Sequence, residues 1–318
     1  MHGTTTSVGA AGRIPGPFAK GRQPEVDPAW RPWMRLVDRA LSAAEDPEWQ
    51  RLVVETPADR ASDAPLLHGA VLHVDGRRMR RLLRDLLREA ERSAGDAESE
   101  RGNANEREAP TPTDRVRRLE SAPVLRAAIA QDGEGIERAA VRADVDPGRL
   151  AVVAQLAATP ILRTCAVRLA DRIPASWLQG YCPICGAWPA TAELRGLERN
   201  RRLRCGRCAS DWPMPVLRCP FCNELRHDRL RALVPEGDEQ TRRVDTCDSC
   251  KGYLKSFSAL QAMSPRALAT IDLATLELDM VAEERGYARP SRPGFTVEIT
   301  IGRKAATRSP VAGADHHE

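Results

Sequence analysis

Apolar residues first recur at helical spacing in AWRPWMRLVDRALSAAE, where Trp30, Trp33, Met34, Val37, Leu41 and Ala44 fall three or four apart along one face. The spacing returns in RMRRLLRDLLREAER, with Met79, Leu82, Leu83, Leu86, Leu87 and Ala90 on one side and arginines on the other. Both stripes predict core-facing helices. Residues 93–113 (SAGDAESERGNANEREAPTPT) then carry no apolar side chain larger than alanine apart from proline, which predicts an exposed polar loop. Helices are expected again in LRAAIA and in DPGRLAVVAQLAATPILRTCAVRLADRI. In the latter, Pro147 suits a first helical position and Pro160 should kink or divide the segment.

From Trp177 to about Phe257 the texture changes to short strands, Gly and Pro turns and paired cysteines. Beyond it, SPRALATIDLATLELDMVAEERG opens with Ser264 as N-cap and Pro265 at the first helical position and closes at Gly286, predicting one C-terminal helix. The expected fold class is α+β: a mainly helical domain over 29–176, two small four-cysteine modules over 177–218 and 219–258, and a helix within 259–289. Residues 1–28 and 290–318 are expected to be a disordered start and a flexible tail.

Composition adds limits. Aromatic residues make up only 4%, so the core must be built from Leu, Val and Ala. The net charge is +4, and Lys20, Lys251, Lys255 and Lys304 are the only lysines among 48 basic residues. So mild a positive balance, spread along the chain, implies neither nucleic acid nor membrane. The sequence shows no apolar run near the roughly 18 residues of a membrane span and no secretory h-region, which predicts a cytoplasmic chain with reduced thiols.

Eight of the nine cysteines form four Cys-x-x-Cys pairs between Cys182 and Cys250. Such a pair makes a knuckle whose two sulfurs face one ion, and a Gly just after the second Cys eases a positive φ; Gly186 stands there in the first pair, Gly252 one place later in the fourth. Two knuckles supply four sulfurs, enough for one tetrahedral ion. The stretch between Cys185 and Cys205 is long enough for one hairpin. Between Cys222 and Cys247 the spacing predicts a longer hairpin turning at residues 235–238.

Sequential pairing then predicts one site from Cys182, Cys185, Cys205 and Cys208 and a second from Cys219, Cys222, Cys247 and Cys250. Cross-bracing of first with third and second with fourth knuckles is the alternative. If the quartets are independent, serine at Cys182 and Cys205 removes one metal equivalent and spares the other. Four thiolates suit a mononuclear zinc or a rubredoxin-like iron, and spacing does not separate them. Arg199, Arg201, Arg202, Arg204 and Arg207 lie near enough in sequence to offset the negative charge of the first site.

Competing readings are a thioredoxin-like redox pair, which wants a single pair at a helix start, an Arg-rich ribbon binding nucleic acid with Trp188 and Trp212 as stacking residues, and a metal staple of purely structural purpose. Cys165 reads as a buried thiol, and His68, His73 and His227 form no ligand set. No phosphate loop, nucleophile elbow or His-Glu-x-x-His is present, so no catalytic residue is assigned.

YCPICGAWP, LRCGRCASDWPMPVLRCPFC, TCDSCKGYLK and IDLATLELDMVAEERGYAR, in that order, resemble the formate dehydrogenase accessory proteins of FdhE type. The resemblance covers about residues 177–290. It implies a cytoplasmic, non-enzymatic maturation factor that binds the catalytic subunit of a molybdenum- or tungsten-dependent formate dehydrogenase, with all eight cysteines as ligands of rubredoxin-like iron. Neither a membrane nor nucleic acid is implied as a partner, and self-association is compatible with it.

Overall fold

The structure is a computed structural model that describes residues 6–7, 26–100, 118–235 and 241–303. The expected disorder over 1–28 and the turn at 235–238 therefore fall largely outside the described residues. Thr6–Ser7 form a two-residue strand, β1.

The helical part runs α1 (Arg31–Glu45), α2 (Pro47–Gln50), α3 (Gly76–Glu100), α4 (Ser121–Ala130), α5 (Gly133–Ala143) and α6 (Pro147–Leu169). In α1 the buried stripe is Leu36, Val37 and Ala40, with Trp33 packed at its edge and Trp30 exposed. Of the predicted stripe only Val37 is fully buried; Trp33, Met34, Leu41 and Ala44 are half-buried, and Leu36 and Ala40 complete the buried face instead. In α3, Met79, Leu82, Leu83, Leu86 and Leu87 are all buried as the spacing predicts. This helix continues to Glu100, eight residues into the stretch expected as a loop, because alanine and glutamate there favour helix without needing a core face.

Helix α6 is the axis of the bundle and packs against α1, α3, α4 and α5. Asp146 caps it by accepting from the Arg149 amide at 2.7 Å, and Pro147 starts it. Pro160 neither divides nor ends it: the helix is continuous through a fully packed position where Thr164 donates its hydroxyl to the Pro160 carbonyl at 2.9 Å. Pro147–Arg172 is also long and apolar enough to cross a membrane, contrary to the expectation from the sequence. Of its most apolar 18-residue window 67% is buried inside the protein, so its apolar character is largely accounted for by the helices packed on it.

Strands not foreseen in the helical part are β2 (Val53–Glu55) and β3 (Ala70–Val74), which pair antiparallel. The region expected as a tail supplies their third partner. There β10 (Ile299–Arg303) pairs in parallel with all of β3, since Val297, Ile299 and Ile301 alternate as a strand does.

The cysteine-rich part carries the two expected four-cysteine modules, and their strands join in one sheet. Its strands are β4 (Thr191–Arg195), β5 (Asn200–Arg204), β6 (Asp211–Pro213), β7 (Leu230–Val234), β8 (Arg242–Cys247) and β9 (Tyr253–Ala259), and the order is β1-β7-β8-β9-β4-β5-β6. Each half is an antiparallel meander, and the two join through the parallel pairing of β4 with β9. Gly180 sits where the halves meet. A Cβ there would lie 1.6 Å from the Pro220 carbonyl oxygen, and backbone cannot yield as a side chain can. Gly180→Ala is expected to lower stability by roughly 3 kcal/mol or more. Gly133→Ala, with open space around it, should leave the urea midpoint unchanged.

The predicted C-terminal helix is two, α7 (Pro265–Leu273) and α8 (Leu276–Glu284). Ser264 caps α7 at the Ala267 amide, as its position predicts. The break falls at Thr275, whose side chain is fully buried and donates to the Ile271 carbonyl at 2.7 Å. It frees the Asp272 and Thr275 carbonyls, and both accept from Lys255.

Candidate metal centre

Each knuckle is built alike. The amide of the first cysteine is bonded to a carbonyl five residues on (Cys182 to Ala187, Cys205 to Ser210, Cys219 to Glu224, Cys247 to Gly252; 2.8–3.0 Å). The residue after the second cysteine is left-handed in all four: Gly186, Ala209, Asn223 and Lys251. Glycine therefore meets the conformational demand only in the first. Gly252, expected to serve that turn, is instead required by space, since a Cβ would stand 2.6 Å from the Phe221 ring. Amides behind the turn point at the sulfurs, with Ile184 N–H at 3.4 Å from Cys182 Sγ and Phe221 N–H at 3.4 Å from Cys219 Sγ.

The structure brings the eight cysteines together sequentially. Cys182, Cys185, Cys205 and Cys208 form one group and Cys219, Cys222, Cys247 and Cys250 another, the sulfurs within each lying less than 4.8 Å apart. Cross-braced pairing is not what the fold adopts. Sulfur separations are 3.5 Å (Cys182–Cys208), 3.6 Å (Cys185–Cys205) and 3.9 Å (Cys185–Cys208) in the first group, and 3.7 Å for both Cys219–Cys250 and Cys222–Cys247. A tetrahedral ion with metal–sulfur bonds of about 2.3 Å sets an edge of about 3.8 Å, so both cages fit it. They are far too wide for disulfides, which need about 2.05 Å.

Without a cation, four crowded thiols resist joint ionisation. Burial pushes Cys182 and Cys208 well up, while hydrogen bonds from its three neighbours hold Cys185 well down. In the second group the hydrogen bond between Cys219 and Cys250 raises the former and holds the latter at about 5, and burial lifts Cys222 to about 11. A divalent ion removes that conflict by attracting all four thiolates, with release of protons.

The hairpin arginines do less for the first group than their sequence positions suggest. Arg204 bonds the fully buried Glu193 (3.0 Å) and the Met263 carbonyl. Arg202 and Arg195 bond Asp211 at 2.7 and 2.8 Å. Arg201, buried to 2% exposure of its side chain, holds the carbonyls of Pro215, Val216 and Arg218. Arg207 reaches back to the helical part, donating to Ala128 and Ile129 carbonyls at the end of α4 and to Gln155 of α6, while its charge still favours the Cys185 thiolate.

These contacts remove what a nucleic-acid ribbon needs. Most of its arginines are spent on internal partners. Trp212 is buried with its indole N–H on the Gln179 carbonyl, and Trp188 bonds the Arg292 carbonyl while packing against Tyr181 and Phe221. Nor does any pair open a helix as a redox pair would. Cys165 is buried, its thiol pushed up to about 12. His68 accepts from the Glu298 amide and His73 pairs with Glu55, and among the described residues no histidine joins either group.

A second polar centre was not legible beforehand. Lys255 of β9 is fully buried and donates to Asp272 (2.7 Å) and Asp279 (2.6 Å) as well as to the two freed carbonyls. Arg289 bonds the same two carboxylates, and the Tyr253 hydroxyl donates to Asp279 at 2.8 Å. The seven-residue spacing of Asp272 and Asp279 was the one signal available.

Residues 217–295, which carry the second quartet and the Lys255 centre, match the family described as FdhE, C-terminal domain. A Protein FdhE homolog of Pseudomonas aeruginosa is 39% identical over 116 residues, which is 35% of this chain and 37% of that protein. Protein FdhE of Escherichia coli O127:H6 is 32% identical over 114 residues, 35% of this chain and 36% of the relative. The chain thus matches little more than a third of these relatives' length. The crystal structure of the FdhE protein from Pseudomonas aeruginosa aligns over 87% of this chain and 98% of its own, at 23% identity and a TM-score of 0.45. What this chain shares with the FdhE C-terminal domain is therefore residues 217–295, with both knuckles of the second cage among them.

Proposed function

We propose that this chain is a formate dehydrogenase maturation factor that performs no turnover of its own, with a tetrahedral ion in each cysteine cage. The observation that carries the reading is the coincidence of the FdhE C-terminal match with a complete four-sulfur cage and the buried Lys255 centre behind it. Cys182, Cys185, Cys205 and Cys208 hold one ion and Cys219, Cys222, Cys247 and Cys250 the other, each iron or zinc. An ion enclosed by four sulfurs supplies structure or one-electron chemistry and offers no open position for a substrate. The partner is the catalytic subunit of a molybdenum- or tungsten-dependent formate dehydrogenase, met in the cytoplasm.

The test is affinity capture of the tagged chain from cells that make the dehydrogenase. Its catalytic subunit is expected to co-purify, and deletion of the gene is expected to abolish formate-dependent dye reduction. Normal dehydrogenase activity in the deletion strain would overturn the reading. Binding to random DNA should be weak; tight binding that falls steeply with salt would favour the ribbon reading.

A further inference from the structure

The two cages share a ligand set and differ in everything around it. In the first, the four cysteines are at most 1% exposed and belong to the main hydrophobic core together with α3, α4 and α6. Its knuckles are clamped from the helical part. The Leu66 and Leu67 amides donate to the Pro183 and Ile184 carbonyls at 2.7 and 3.0 Å, and Arg207 bolts the second knuckle to the end of α4. A Cβ on Gly186 would stand 2.3 Å from the Phe295 carbonyl oxygen, so backbone also closes this cage from the C-terminal side.

The second cage is held by less: Gly180 lies against the Pro220 backbone and Trp188 against the Phe221 ring of its first knuckle, and no helix of the N-terminal part clamps it. Cys222 and Cys250 are exposed, and neither Cys219 nor Cys247, though buried, belongs to a core cluster. Its knuckles are tied down by contacts at the surface: Asp248 to Arg231 and Lys251, whose side chains are 50% and 58% exposed. A cavity of ≈ 160 Å³, walled by Phe221, Leu230, Leu254 and Gly252, reaches the buried pair Cys219 and Cys247 from inside. One thiolate from each knuckle faces water, and the other two border open space.

We propose that the second cage is an exchange site, at which a soft thiolate-bearing ligand gains or delivers the metal ion, and that the first holds its ion permanently. In the exchange step the incoming thiolate sulfur bonds the ion as Cys222 or Cys250 leaves. The departing sulfur takes a proton from solvent, and no oxidation state changes. Opening the second cage needs the half-exposed ion pairs of Asp248 and a few local contacts of Pro220, Phe221 and Tyr287 to part. Opening the first needs the shared core to part, and such global openings cost several kcal/mol more than local ones.

The inference rests on both cages holding metal, so the experiment begins by counting zinc in the zinc-loaded full-length protein. Two equivalents are expected; fewer would fail the metal reading itself. The protein is then challenged with 4-(2-pyridylazo)resorcinol in the presence of free thiol, and released zinc is followed by absorbance. One equivalent is expected to leave at least about 100-fold faster than the other, the ratio that an opening cost larger by about 3 kcal/mol implies.

Alkylation with N-ethylmaleimide after the fast phase, mapped by mass spectrometry, should mark Cys219, Cys222, Cys247 and Cys250 and leave Cys182, Cys185, Cys205 and Cys208 unmodified. Cys222→Ser should lack the fast phase and keep the slow equivalent. Release of both equivalents in one phase, or labelling of the first quartet alongside the second, overturns the proposal. The wild-type labelling decides the matter even if the variant fails to fold.

Discussion

Serine at Cys185 is expected to abolish the cooperative unfolding of the whole chain, not merely to empty one metal site. The cage it opens lies inside the core that the helices share with β4 and β5, at 0% exposure. Structural four-sulfur ions contribute about 10–16 kcal/mol of binding free energy in small metal domains. A whole domain is stable by only about 5–15 kcal/mol. Loss of the ion proposed for the first cage therefore exceeds what remains, and the second cage, joined to the first through β4 and β9, goes with it. Spacing alone predicts the milder result of one lost equivalent, and that result is expected only at the surface cage. Cys250→Ser should retain one ion and a cooperative melt at lowered temperature. Circular dichroism melts with metal analysis check both; a folded Cys185→Ser chain retaining one ion would sink the argument.

The second large effect is at Lys255. Lys255→Met removes a fully buried ammonium from two carboxylates and leaves Asp272 and Asp279 to Arg289, which is a third exposed. Removing one member of a buried ionic group typically costs about 3–5 kcal/mol, because the remaining charge stays desolvated. A drop in the urea midpoint of about 1 M or more is expected. Combining Lys255→Met with Asp279→Leu should cost less than the sum of the two changes, since the pair is removed together.

The acid limb carries a second signature of this centre. Burial alone would raise the Asp279 carboxyl, but Lys255 and Arg289 outweigh it and hold it below its ordinary value. A depressed carboxyl contributes stability above its unfolded pKa of about 3.9, and that share is lost as pH falls through the folded value. Wild-type stability should therefore decline below about pH 4, and the Lys255→Met variant should show a shallower decline there. Parallel curves for the two proteins would remove Lys255 from the account.

What could be read from the sequence follows the range of the interactions involved. The cages were legible because each knuckle is a local turn and each quartet closes over a single hairpin. The α3 stripe was legible because four leucines and a methionine repeat on one face. The parallel joining of β4 to β9 was not, since nothing in TAELR marks it as a partner of YLKSFSA. Lys255 was hidden for a related reason: a lysine in a strand reads as solvated unless its carboxylates, one on each of the two C-terminal helices, are known to lie across from it. The arginines of the hairpin were seen as charge for the metal, but their partners Glu193 and Asp211 lie on adjacent strands and claim them first.

The pairing of β10 with β3 spans most of the chain, from Ala70–Val74 to Ile299–Arg303. During synthesis, the small sheet of the N-terminal half must wait with β3 lacking a neighbour on one side until the last of these residues has left the ribosome. Contacts so distant in sequence form late, and an unpaired strand edge invites association in the meantime. Newborn chains should thus depend on chaperone cover until Ile299–Arg303 have emerged, however quickly the helices themselves assemble.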